Sequence, residues 1–180
     1  MPLVSIGGLP GSGKTTVAKL LADQLSLAYL NAGDIFRTLA QKKGMTLEEF
    51  GVFAERVPKV DQSIDARLME IARKKKNSIL EGRLAGRMLA KEGLTSTKVW
   101  LQAPLKVRAS RVAQREGSSF ESALAMIHER ERCEWDRYYH LYRIDLNDLS
   151  VYDLIIDTED KPPTAIAETI VEAVNGGVAT

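Results

Sequence analysis

At 180 residues the chain fits one domain, 1–180, with room for small inserted segments. Its composition, 44% hydrophobic and 27% charged, is that of an ordinary globular protein, and no apolar run approaches the ~20 residues of a membrane-spanning helix. The net charge of +1, with acidic residues interleaved among basic ones, excludes a chain-wide basic field for nucleic acid. No basic stretch followed by an apolar run and a small-residue cleavage site opens the chain, so a secretory leader is not expected. The single cysteine, Cys133, has no disulfide partner within the chain. The expectation is a cytoplasmic monomer with no membrane or nucleic-acid partner.

In chain order, Leu3 to Ile6 is a short apolar run feeding a glycine-rich turn and reads as a first strand. Thr15 to Leu25 carries Val17, Ala18, Leu20, Leu21 and Leu25 at helical spacing. Leu27 to Leu30 reads as a second strand, and an all-helical stretch follows from about Asp34 to Lys75. Ser78–Leu80, Val99–Leu101 and Tyr152–Ile156 read as the third, fourth and fifth strands. They are closed by Glu81-Gly82, Ala103-Pro104 and Asp157-Thr158. An arginine-rich stretch, 108–143, separates the last two strands, and an amphipathic helix from about Pro163 to Val174 ends before Gly176-Gly177. Strands alternating with helices predict an α/β domain whose parallel sheet is covered on both faces. Both long interruptions follow strand C-termini, where open α/β sheets bind their ligands.

Gly8-Leu9-Pro10-Gly11-Ser12-Gly13-Lys14-Thr15, with Thr16 beyond, matches G-x-x-x-x-G-K-[ST] in full, between a predicted strand and a predicted helix. Glycines let the backbone wrap a phosphate so that successive N–H groups point inward, and the helix N-terminus adds its partial positive charge. Lys14 is expected on the β- and γ-phosphates, and the Thr15 hydroxyl on Mg²⁺. The loop predicts a bound nucleoside triphosphate. GTPases, ATPases and small-molecule kinases all use it, so it does not name the reaction.

Three further groups bear on the acceptor. Asn31-Ala32-Gly33-Asp34-Ile35-Phe36-Arg37 opens a helix after the second strand, with Asp34 as its expected N-cap and Arg37 facing the site mouth. A guanidinium there can hold an acceptor phosphate through two parallel hydrogen bonds; the competing reading is an exposed helix residue. Glu81 and Arg83 end the third strand in the same region. Glu81 is a candidate for water-bridged Mg²⁺ or for orienting the acceptor, and Arg83 for its phosphate or base, against the alternative of a strand-end ion pair. Arg87 is a weaker candidate. Arg130 and Arg137 are about two helical turns apart and share a face, with Arg108, Arg111 and Arg115 expected opposite them across a helical hairpin. Arginines on a movable flap can neutralise a transferring phosphoryl group and exclude water.

Other residues carry weaker signals. His128 and His140 lack metal-ligand spacing; Trp135, Tyr138, Tyr139 and Tyr142 suit helix packing better than base stacking; Asp145 and Asp148 either touch the flap arginines or cap a loop.

With these groups in order the chain resembles the nucleoside monophosphate kinases, most closely the archaeal type of cytidylate kinase. The motifs are Gly8–Thr16, Ala32–Arg37, Leu80–Gly86, Trp100–Pro104, Arg130–Tyr138 and Ile144–Thr158, covering nearly the whole chain. The resemblance implies a P-loop NTPase-type three-layer fold with a five-stranded parallel sheet in the order 2-3-1-4-5. It further implies a monophosphate-binding insertion at 34–75, a short lid at 108–143, and ATP- and Mg²⁺-dependent phosphorylation of CMP and dCMP. By matching position, Arg37 and Arg83 fall on acceptor-phosphate positions, and Arg130 and Arg137 on lid positions. Archaeal members often carry threonine where this chain has Lys14, so the loop departs toward the standard motif. The stretch 108–143 holds no cysteine pair, so the lid is not of the zinc-bearing type. An adenylate- or shikimate-type kinase and a non-enzymatic nucleotide sensor are the competing readings.

Overall fold

The computed structural model describes residues 2–176. Strands β1 (Leu3–Gly8), β2 (Ala28–Asn31), β3 (Ser78–Glu81), β4 (Thr97–Gln102) and β5 (Leu154–Asp157) form one parallel sheet in the order β2-β3-β1-β4-β5. The order is the one the resemblance implied. β1 lies at the centre and is buried along its whole length, on both faces, as its apolar residues Leu3, Val4 and Ile6 suit.

Side chains alternate across a strand, so each strand feeds two cores. Val4, Ile6, Ile79, Val99, Leu101 and Ile156 face helices α1 (Lys14–Leu25) and α8 (Pro163–Gly176), meeting Val17, Ala18, Leu21, Ile166, Ala167 and Ile170. On the opposite face Leu3 and Leu80 meet Ile64, Leu68 and Met69 of α4 (Lys59–Lys74) and Met88 and Leu89 of α5 (Ala85–Lys91). The two-sided cover expected of the whole sheet thins at its edge, where Ile155 of β5 stays 48% exposed.

Two helical segments leave the C-terminal ends of strands. After β2 come α2 (Ala32–Lys42), α3 (Leu47–Arg56) and α4; after β4 come α6 (Leu105–Glu116) and α7 (Phe120–Tyr142). The last two form a hairpin held by Ala109 and Val112 against Ala123 and Ile127. Among the described residues no helix is long and apolar enough to cross a membrane.

Several boundaries differ from those expected. β1 continues through Gly7 and Gly8 and β4 starts at Thr97, because ladder pairing uses backbone groups and is indifferent to apolar character. Tyr152 precedes β5 and packs its ring 5.0 Å from that of Trp100. The N-cap of α2 is Asn31, not Asp34, and α2 therefore starts at Ala32. α8 runs to Gly176, past the expected end at Val174, and Gly177 lies outside the described residues.

Leu21 is fully buried between α1 and the sheet. Truncation leaves a cavity beneath the helix that starts at the glycine loop. Leu21→Ala is expected to lower unfolding free energy by about 2–5 kcal/mol in urea denaturation; a loss well under 1 kcal/mol would show this contact to be slack.

Candidate active site

The loop between β1 and α1 is shaped by left-handed backbone at Gly11 (φ 80°) and Gly13 (φ 91°), a region costly for residues with a Cβ. At Gly11 a Cβ would also fall 2.6 Å from the Arg108 carbonyl oxygen. Gly13 caps α1 with no side-chain hydrogen bond, so the first-turn amides keep their donors for an anion. The loop is braced from outside: Arg108 donates Nη1 to the Pro10 carbonyl at 3.1 Å and Nε to the Ala103 carbonyl at 3.0 Å. Thr158, just past β5, donates its hydroxyl to the Ser12 carbonyl at 3.1 Å. Both braces use carbonyls.

Lys14 curls back over the loop and donates to the Leu9 carbonyl at 2.9 Å. Burial, and then the nearby Arg83 guanidinium, lower its amine from 10.5 to about 7, against an upward pull from Glu81. Thr15 donates its hydroxyl to Glu81 Oε1 at 2.8 Å. With its proton committed there, the Thr15 oxygen keeps its lone pairs for a cation, and Glu81 supplies a hard carboxylate beside it. This donor set fits Mg²⁺, which Thr15 and Glu81 would hold. Thr16 is exposed on the first turn of α1.

The arginines gather around one carboxylate. Glu134, buried on α7, receives Arg83 Nη1 at 2.7 Å from the end of β3 and Arg130 Nε at 2.7 Å from its own helix. Burial would raise its carboxyl, but Arg83, Arg130 and Arg137 outweigh that and hold it down at about 2. Arg137, also buried, reaches across to Asp61 of α4 at 2.6 Å. Burial raises the Asp61 carboxyl to about 6, more than Arg137 pulls it down. Lys14 feels Arg83 and Arg130 as well as Glu81 and Glu134, and with Arg137 these cations outnumber the carboxylates Glu81, Glu134 and Asp61 beside them. Such a surplus invites a polyphosphate.

The sequence candidates are thus partly brought together. Lys14, Thr15, Glu81, Arg83 and Arg130 converge, and Arg137 is anchored beside them. Arg37 sits at the rim, with its side chain 47% exposed and 2.5 Å from Asp34. Of the α6 arginines expected opposite α7, Arg108 does reach it, pairing with Glu131 at 2.5 Å, whereas Arg111 bonds the Thr158 hydroxyl at 2.9 Å and Arg115 pairs with Glu116 at the surface. Asp148 contacts Arg87 rather than the flap, and the Asp145 carboxylate caps the Asn147 amide. Tyr142 donates to Asp65 at 2.6 Å, whereas Trp135 and Tyr139 are exposed and stacked 5.2 Å apart. Trp135, with Trp100, Leu9 and Arg83, borders a cleft of about 460 Å³ beside the loop. Among the described residues no group of three His, Cys, Asp or Glu side chains is placed to hold a metal. Sequence reasoning missed Asn31, Tyr29 and Thr158 as site-supporting residues, and placed Arg108 in the flap without its contact to the loop; the Asn31-Ala32-Gly33 run after a strand was the one usable signal.

A phosphate loop feeding α1, a carboxylate beside its threonine and arginine-bearing insertions from two strand ends define a P-loop phosphotransferase. Solved structures agree on the fold. The chain is similar to shikimate kinase from Acinetobacter baumannii in complex with shikimate, with a TM-score of 0.62 and 18% identity over 98% of this chain and 94% of that one. It is also similar to a protein from Eubacterium ventriosum, with a TM-score of 0.74 and 18% identity over 97% and 99%. The family is settled by sequence: residues 3–160 match the model of the cytidylate kinase-like family, and the chain belongs to it. Relatives include the cytidylate kinase of Methanococcoides burtonii, 49% identical over 96% of this chain and 97% of that protein. That of Pyrococcus horikoshii is 46% identical over 96% and 88%.

The lowered Lys14 amine makes triphosphate binding proton-linked. Above pH 7 the free protein holds Lys14 largely neutral, and an anion that favours the ammonium form must draw a proton in. Calorimetry of a non-hydrolysable ATP analogue at pH 8, in buffers of different ionisation enthalpy, is expected to show uptake approaching roughly one proton, lost in Lys14→Arg. No uptake by the wild type would contradict this.

Proposed function

We propose that the chain transfers the γ-phosphoryl group of ATP to CMP or dCMP, yielding the diphosphate. The observation that carries this is the convergence of Arg83 and Arg130 on Glu134 within electrostatic reach of Lys14, which supports a second anion site beside the loop. The relatives named cytidylate kinase, 43–49% identical, direct the choice of acceptor. The shikimate kinases share the fold at 15–18% identity and carry no such weight. A nucleotide sensor has no use for the second anion site.

In this reading the loop amides and Lys14 hold the donor phosphates, and Thr15 and Glu81 would hold Mg²⁺, which when bound would supply charge neutralisation to them. Arg37 and Arg83 hold the acceptor phosphate, with Asp34 setting the Arg37 guanidinium. The segments 34–75 and 108–143 act as acceptor-binding insertion and lid, and Arg130 and Arg137 close over the transferring group. An acceptor phosphate is already ionised, so no general base is required. Catalysis comes from alignment and charge stabilisation of a loose transition state. No membrane or nucleic-acid partner enters this reading, and the expected setting is the cytoplasm.

A coupled assay with ATP and, separately, CMP, dCMP, UMP, AMP and shikimate is expected to show turnover highest with CMP or dCMP. No turnover with either, or clear preference for AMP or shikimate, would overturn the proposal. Arg37→Ala is expected to cut kcat/KM for CMP by about 10-fold or more, roughly the loss of 1.4 kcal/mol of acceptor binding, with ATP affinity nearly unchanged. An equal loss of ATP binding would misplace Arg37.

A further inference from the structure

Asn31 ends β2 and caps α2, and its amide is used at both ends. Oδ1 accepts the backbone N–H of Gly33 at 2.7 Å and of Asp34 at 3.4 Å. Nδ2 donates to Glu81 Oε2 and to the Tyr29 hydroxyl, each at 3.0 Å. Tyr29 in turn donates its hydroxyl to Glu81 Oε2. The amide orientation is forced, because the backbone N–H groups can only donate and a carboxylate only accepts. The sheet register makes the contact obligatory, since Asn31 lies directly beside Glu81 across the β2–β3 pair. Asn31 is 7% exposed, so neither bond is shared with solvent to any extent.

Glu81 thereby has both oxygens assigned: Oε2 to Tyr29 and Asn31, Oε1 to the Thr15 hydroxyl. Asn31 simultaneously fixes the first turn of α2, from which Asp34 and Arg37 project. Aspartate or serine would cap this helix about as well. Aspartate has no donor for a carboxylate and a serine hydroxyl has one, on the same atom that caps; the amide separates an acceptor for the helix from two donors, which here serve Glu81 and Tyr29.

We propose that Asn31 is a positioning residue that joins the donor and acceptor halves of the site: its nitrogen, with Tyr29, sets the carboxylate beside the cation position, and its oxygen sets the helix that presents Arg37. The inference rests on the functional reading above. It predicts that the two ends of one side chain separate experimentally. Asn31→Asp keeps the cap but places a second carboxylate against Glu81. Its Mg²⁺-dependent affinity for a non-hydrolysable ATP analogue, measured calorimetrically without turnover, is expected to fall by about 10-fold or more. Its KM for CMP should stay within about threefold of wild type, since aspartate caps as asparagine does. Tyr29→Phe should move the Mg²⁺ dependence in the same direction by less, with KM for CMP unchanged. Asn31→Ala should disturb both; should it fail to fold, the other two variants decide alone. Unchanged Mg²⁺ dependence in Asn31→Asp, or a rise in KM for CMP as large as that of Asn31→Ala, would overturn the inference. Failure of the wild type to phosphorylate CMP would strike the functional reading instead, leaving the analogue-binding arm to judge the Glu81 half.

Discussion

Glu134 on α7 takes Arg83 from the end of β3 and Arg130 from its own helix, each at 2.7 Å, and it is buried while doing so. A carboxylate in that position would be costly without partners, and with them it adds little net stability, because burying paired charges consumes most of what their attraction returns. What the pairs supply is position. Arg83 follows β3 of the sheet and Arg130 belongs to the helical hairpin, so Glu134 ties the hairpin to the sheet beside the phosphate loop. Lys14 lies in the same field: burial first, and then Arg83, lower its amine to about 7, against the pull of Glu81 and Glu134. A phosphate entering this space meets charge already oriented toward it and need not reorganise the protein to be stabilised.

The fold prepares that point by dividing labour among backbone groups. Arg108 and Thr158 spend their donors on loop carbonyls, and Gly13 caps α1 without a side chain, so the inward N–H groups of the loop stay free for the anion. On the other side of β1, Glu81 is set by Thr15, Tyr29 and Asn31, which come from α1 and β2. The loop and Glu81 are thus carried on neighbouring strands of one sheet, β1 and β3. The Asp61–Arg137 pair, joining α4 to α7, holds the two insertions together.

The loop and the sheet were legible in the sequence because their signals are local: eight consecutive residues spell the loop, and apolar runs bounded by turn residues spell the strands. The cap of α2 was misplaced from Asn31 to Asp34 because both residue types cap well, and the choice depends on where β2 stops pairing with β3. Arg108 reaches α7 through Glu131 as its spacing suggested. Its second contact, to the Pro10 carbonyl of the loop, was not legible because spacing along α6 says nothing of a loop 98 residues away. The pairings of Arg83 with Glu134 and Arg137 with Asp61 join residues far apart in the chain. Composition and periodicity place such residues on helices and strand ends without saying which meet. The charge surplus of the site was therefore foreseeable, but its organisation around Glu134 was not.

The account stands most directly on Glu134→Gln, which keeps the shape of the side chain and removes its charge. With the far-UV spectrum of an α/β fold retained, turnover of CMP is predicted to fall about 100-fold, the scale of loss when reacting groups are displaced by an ångström or so. Turnover within about twofold of wild type would contradict it, showing that Arg83 and Arg130 find their places without this carboxylate.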